Sequence, residues 1–263
     1  MNIIVCMKQV PDTTEVKIDP KTGRLIREGV PSIINPEDKN AIEAALDIRG
    51  DGKVTVLTMG PPQAEDALRE ALAMGVDDAI LMGDVKFAGS DTWATANAIA
   101  FAIKKIGSFD LIMCGRQAID GDTAQVGPQL AENLQLPQIS YVEKIEAEKD
   151  KITVHRGMED GYEIIETELP ALITVTKDIN TPRYPSLQGI HAAFNDKEIT
   201  RWNAADVEAD LSKVGILNSP TKVKKTFSPS PKGSGEKIEG KSAKEKAKKI
   251  IDILKSKEIL QEF

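Results

Sequence analysis

The sequence predicts an α/β fold: a parallel sheet flanked by helices, an antiparallel segment appended to it, and an extended C-terminal arm ending in a helix. Three observations predict it. Short apolar runs of strand length alternate with runs of helix length through the first half of the chain, the pattern of βαβ units. The stretch from about 140 to 176 switches to closely spaced β-like runs joined by short turns. Beyond Asn195 the core pattern stops, and Pro, Gly, Ser and Lys take over.

Strands are expected at 2–7, 54–59, 79–82 and 110–114, and helices at 37–49, 62–74 and 91–106. Asn35-Pro36 followed by Glu37 and Asp38 is a helix start. Proline fits the first turn, where its missing N–H is no loss, and the acids face the positive end of the helix dipole. Gly60-Pro61-Pro62 opens the second helix, and Ser90-Asp91-Thr92 offers caps for the third. Right-handed crossovers put helices on both faces of such a sheet, and ligands bind beyond the carboxyl ends of its strands, where the strand order switches. Met7-Lys8-Gln9, Met59-Gly60-Pro61, Met82-Gly83-Asp84 and Gly115-Arg116-Gln117 are therefore expected on one rim.

In the middle of the chain, 141–145, 152–155, 162–166 and 172–176 read as an antiparallel meander. The segment 178–190 reads as a surface loop whose Tyr184 and Leu187 either pack on their own domain or present an anchor to a partner. Residues 219–240 read as an extended arm. Ala247, Ile250, Ile251 and Leu254 then fall at helical spacing, so 243–260 is expected to be an amphipathic helix lying on this domain or on another subunit. The resulting division is an α/β domain over 1–195 and an arm with a helix over 196–263.

The most informative stretch is 115–128, Gly-Arg-Gln-Ala-Ile-Asp-Gly-Asp-Thr-Ala-Gln-Val-Gly-Pro, between a buried strand and a helix start. Free N–H groups and the helix dipole favour an anion there, and glycine lets a ligand come close. The loop is neither a Walker A loop nor a G-x-G-x-x-G fingerprint. Two readings stand at this point: a Rossmann-like nucleotide site, or a structural loop in which Asp122 caps a helix beginning near Thr123. Arg116 likewise either places positive charge near a ligand or pairs with Asp120 or Asp122.

Composition narrows the chemistry. The chain has 263 residues, is 41% hydrophobic and carries a formal net charge of −7; its pI is about 5.1. Such a surface has no global attraction to nucleic acid. No apolar run reaches the roughly 18–20 residues of a membrane span. The first strand starts almost at Met1, so no signal peptide is expected and a cytoplasmic location follows. Of the two cysteines, Cys6 and Cys114, both sit in apolar runs and read as buried hydrophobes. No Cys or His spacing suggests a metal site, and no nucleophile–base arrangement is legible. A bound cofactor is then expected to carry any redox chemistry.

Several motifs together resemble one family. Val5 to Asp12, Ile34 to Asp38, Met59 to Pro62, Ala71 to Asp77 and Gly115 to Thr123 are similar to the β subunit of electron-transfer flavoprotein, in order across residues 1 to about 190. The resemblance implies a heterodimer with an α subunit and an adenine nucleotide in this chain, either AMP or the ADP part of FAD. It implies contacts from Cys6, from Asn35, Pro36, Glu37 and Asp38, from Met59, and from Gly115, Arg116, Gln117, Ala118, Ile119, Asp120, Gly121, Asp122, Thr123, Ala124, Gln125 and Val126. Asp122 to Pro128 and Asn35 to Asp38 look like the electron-bifurcating subtype. In that subtype an FAD in the β subunit takes a hydride from NADH, and the electrons divide between ferredoxin and a higher-potential acceptor. The other subtype carries electrons singly and keeps AMP here. An ATP-binding regulatory module of related architecture is the reading from another class. Tyr184 to Ile190 is similar to the family's recognition loop, with Leu187 matching the leucine that docks into a flavin-dependent acyl-CoA dehydrogenase. His191 to Asn195 departs from the lysines that often follow it, which puts that usual partner in doubt.

Overall fold

A computed structural model describes residues 1–12, 31–225, 233 and 235–260. The chain divides into two compact units, Met1–Lys224 and Lys225–Phe263.

In the first unit the strands are β1 (Ile3–Cys6), β2 (Gln9–Pro11), β3 (Ser32–Ile34), β4 (Val54–Met59), β5 (Asp78–Met82), β6 (Leu111–Gly115), β7 (Gln138–Ala147), β8 (Lys151–Met158), β9 (Gly161–Glu168), β10 (Ala171–Val175) and β11 (Ile199–Trp202). The helices are α1 (Pro36–Ile48), α2 (Glu65–Met74), α3 (Thr92–Ile106), α4 (Val126–Leu134) and α5 (Leu187–Asn195). The main sheet has nine strands in the order β11-β5-β4-β1-β6-β10-β7-β8-β9, and β2 pairs with β3 in a separate two-stranded ribbon. Every pair from β11 to β7 is parallel; only β7–β8 and β8–β9 are antiparallel.

The central strands are apolar throughout because both sheet faces are covered. Ile3 and Val5 join Leu111 and Met113 in the core under α1, α2 and α5. Ile4, Cys6, Ile112 and Cys114 point the other way, into the core under α3 and α4. Helix starts follow local chemistry. The Asp91 carboxylate accepts the Ala94 N–H at 3.0 Å to cap α3, and Ser186 Oγ accepts the Gly189 N–H at 2.9 Å to cap α5.

Three expectations are corrected. The run at 172–176 is not the last strand of a meander: β10 lies between β6 and β7 and is parallel to both. Its residues are all buried, as a central parallel strand requires. The segment 178–190 is a loop only as far as Ser186, since Leu187 begins α5. The compact unit does not end at Asn195. Strand β11 pairs with β5, Ala204, Val207 and Val214 are buried, and the unit runs to Lys224. A four-residue edge strand is too short to show a period in the sequence.

In the second unit, α6 (Ala243–Ser256) is capped by Ser242, with Ile250 and Ile251 partly exposed. Residues 226–232 and 234 of the expected arm lie outside the described residues.

Candidate functional site

From β1 the chain steps outward through β4 to β5, then returns to the other side of β1 with β6 and continues to β10. The order switches between β1 and β6, where Cys6 and Cys114 stand in register. A parallel α/β sheet opens a crevice at such a point.

The first turn of α1 grips one wall of that crevice. The Asn35 amide donates to Gln117 O at 2.9 Å, and its oxygen accepts the Ile119 N–H at 3.0 Å. Glu37 accepts the Gln117 N–H at 3.1 Å and pairs with Arg116 at 3.0 Å. Asp38 accepts N–H groups from Lys8 at 2.8 Å and from Gly115 at 2.9 Å. Pro36 sits in the first turn of α1, so no N–H is wasted there. Gly115 is required by this contact, because a Cβ there would lie 2.4 Å from an Asp38 carboxylate oxygen.

Two of these carboxyls are perturbed. Burial pushes Asp38 up to about 7, against the N–H bonds from Lys8 and Gly115. Burial also raises Glu37, against the Gln117 N–H and the Arg116 charge.

The loop beyond carries the free donors. The N–H groups of Gly121 and Asp122 both donate to Ala118 O, at 3.2 and 2.9 Å, which closes a tight turn. Asp122 and Ala124 then adopt positive φ, 46° and 52°. From Thr123 through Gly127 no backbone N–H has a protein acceptor among the described residues. Helix α4 begins at Val126 with no side-chain cap, so the free N–H groups stand at its positive end. Asp122 does not cap that helix as one reading held; it accepts instead from the Gln117 side chain at 3.0 Å. Gln125 is anchored by the Thr92 hydroxyl at 2.9 Å. Lys8 reaches Asp120 at 2.7 Å and neutralises it. Arg116 pairs with Glu37 rather than with Asp120 or Asp122, and its guanidinium lies 6.0 Å from the centre of the Tyr141 ring. The arrangement can receive an anion at the free N–H groups of a helix N-terminus, while Lys8 and Arg116 are paired with Asp120 and Glu37.

The predicted residues 35–38 and 115–126 are brought together here, with Cys6 beneath them at the end of β1 and Met59 at the end of the neighbouring strand β4. The rim segments after β4 and β5 are also joined, since Gly60 N–H donates to Met82 O at 3.1 Å. Sequence reasoning did not single out Lys8 as a site residue, although it stood in the first rim segment. It also missed Tyr141, which sits at φ 61° where β7 changes partner from β10 to β8; nothing in the sequence marks a left-handed tyrosine. A groove of about 900 Å³, lined by Tyr141, Arg156 and Tyr162 among others, shares Glu37 and Arg116 with the site.

The electron transfer flavoprotein domain matches residues 22–207. The chain is 56% identical over 262 residues to the electron transfer flavoprotein subunit beta of Thermoanaerobacterium thermosaccharolyticum, covering 99% of this chain and 100% of that one. It is 54% identical over 263 residues to subunit CarD of the caffeyl-CoA reductase–Etf complex of Acetobacterium woodii, covering 99% and 100%. It is 45% identical over 273 residues to the acryloyl-CoA reductase electron transfer subunit gamma of Anaerotignum propionicum, again covering 99% and 100%.

The chain belongs to the electron-transfer flavoprotein family, with the β subunits.

In this electron-transfer flavoprotein subunit the two residues expected to meet a partner stand apart from the crevice. Tyr184 is 95% and Leu187 87% exposed, at the start of α5. Helix α5 is held against α2, where the Arg69 guanidinium bonds Ala193 O and Lys197 O.

Proposed function

We propose that this chain is the β subunit of a heterodimeric, electron-bifurcating electron-transfer flavoprotein and that it holds FAD by its ADP half at residues 115–127. The observation that carries the reading is the row of N–H groups from Thr123 to Gly127 with no protein acceptor among the described residues, at a helix N-terminus beside the β1–β6 switch. When bound, FAD supplies the chemistry that links two-electron to one-electron carriers. The chain's own part is to bind and orient: the 123–127 N–H groups take the phosphates, Asn35 and Glu37 fix the loop, and Arg116 sets positive charge at its wall. NADH is the proposed hydride donor, and ferredoxin and a flavin-dependent dehydrogenase, such as an acyl-CoA dehydrogenase, are the proposed acceptors, the second reached through FAD in the α subunit. Tyr184 and Leu187 are the proposed dehydrogenase contact. Two relatives named as reductase-complex subunits support such partners.

We further propose a cytoplasmic location and a C-terminal unit, 225–263, that engages the α subunit. No described helix is long and apolar enough to cross a membrane. The test is to purify the chain with its α subunit and extract the nucleotides. The proposal expects FAD in both subunits and no AMP. A single FAD with one AMP per heterodimer would assign the subunit to the non-bifurcating type, whose AMP phosphate would use the same N–H groups.

A further inference from the structure

Beyond Cys6 and Cys114 the two switch-point strands part. The Met7 N–H turns to β4 and donates to Leu57 O at 3.0 Å, while the Arg116 N–H turns to β10 and donates to Val175 O at 2.8 Å. N–H groups alternate from side to side along a strand. The N–H groups of Lys8 and Gly115 therefore both face the opening gap, where neither strand offers an acceptor. One side chain meets both: Asp38, 6% exposed, accepts Lys8 N–H with Oδ2 and Gly115 N–H with Oδ1. A buried N–H left unpaired costs about 1–3 kcal/mol, so the crevice needs this acceptor.

We propose that Asp38 is the positioning residue of the nucleotide site: its carboxylate bridges the parted ends of β1 and β6 so that residues 115–127 keep the path that leaves the N–H groups of 123–127 free. The proposal rests on the nucleotide reading above. Only an ionised carboxylate offers a strong acceptor to each N–H. An asparagine offers one acceptor and turns an NH2 donor toward the second N–H, and a protonated acid offers that N–H only a weaker hydroxyl acceptor. The charged and titratable groups around Asp38 are Lys8, whose ammonium is paired with Asp120, Glu37, paired with Arg116, and the buried Cys114 thiol. Burial holds the Asp38 carboxyl at about 7, so its second acceptor is weakened just below neutral pH.

The test uses the full chain with its α subunit, stripped of nucleotide and titrated with FAD, whose diphosphate keeps its charge across pH 6–8. At pH 8, Asp38→Asn is expected to bind about tenfold more weakly than the wild type. Wild-type binding should weaken about as much between pH 8 and pH 6, whereas the Asp38→Asn variant should show a flat profile. Hydrogen exchange of the wild type supplies a second measurement that needs no variant: protection of the Lys8 and Gly115 amides should fall as pH drops through 7. An Asp38→Asn protein with wild-type affinity and pH profile, or Lys8 and Gly115 protection that ignores pH, would overturn the positioning role while leaving the nucleotide reading intact. A wild-type protein that binds neither FAD nor AMP would overturn the nucleotide reading itself, and the positioning role with it.

Discussion

Arg116 pairs with Glu37 at 3.0 Å, and that bond ties the 115–127 loop to the first turn of α1 rather than to its own acidic residues. Glu37 is buried and Arg116 about a third exposed, so the pair is partly screened. Glu37→Gln keeps an acceptor for the Gln117 N–H but removes the charge facing Arg116. The expected cost is roughly 1 kcal/mol in urea unfolding, with a several-fold loss of FAD affinity. An unchanged affinity with lowered stability would confine Glu37 to a structural role.

Gly127 presses the N-terminus of α4 against β10. A Cβ there would lie 2.5 Å from the Thr174 Cγ2 methyl. Gly127→Ala is expected to destabilise by about 1–3 kcal/mol. Adding Thr174→Ser removes the opposing methyl and should recover most of the loss. Equal unfolding midpoints for the single and double variants would contradict this geometry.

Ala124 sits at φ 52°, where a Cβ is costly. Ala124→Gly should leave the unfolding midpoint unchanged or raise stability by up to about 1 kcal/mol, because relief of strain outweighs the added freedom of the unfolded chain. Ala124→Val should lower it, since a β-branched residue tolerates this region least. Thermal unfolding of the two variants checks the sign directly.

The segment bearing Tyr184 is anchored by Arg183. Its guanidinium reaches Glu43 at 2.8 Å and Asp47 at 2.9 Å, and its N–H donates to Glu43 at 2.9 Å. Burial alone would raise the Glu43 carboxyl, but the hydrogen bonds and charge of Arg183 outweigh it and hold Glu43 below the ordinary carboxylate range. A depressed carboxyl contributes stability that is present above its unfolded value of 4.5 and is lost as pH falls through the folded value. Arg183→Ala should therefore destabilise the chain at pH 7 and bring it closer to wild type as pH falls below 4.5. A stability difference independent of pH would contradict the assignment.

Much of this site was legible because βαβ chemistry is local. Apolar runs at 54–59 and 110–114, the Asn35-Pro36 start and the Asp91 cap announced their elements, and the rim rule then placed Gly115 to Gln117. What was not legible depended on partners far away in sequence. Ala171 to Val175 reads as apolar whether its neighbours run parallel or antiparallel, and only its place between β6 and β7 decides. Polar atoms of Asn35, Glu37 and Asp38 bond the backbone of 115–119 across about 80 residues, and Asp38 also accepts the Lys8 N–H from 30 residues away, pairings that no spacing encodes. The Ser186 cap that makes Leu187 helical follows a Pro-rich stretch whose punctuation resembled an unbroken loop.

The most direct test is amide hydrogen exchange of the nucleotide-free chain, with its α subunit, before and after FAD is added. The account predicts new protection centred on Thr123 to Gly127, with little change at the N-terminal turn of α1, whose bonds are already made. Protection that appears elsewhere in this subunit while 123–127 stays open to solvent would contradict it.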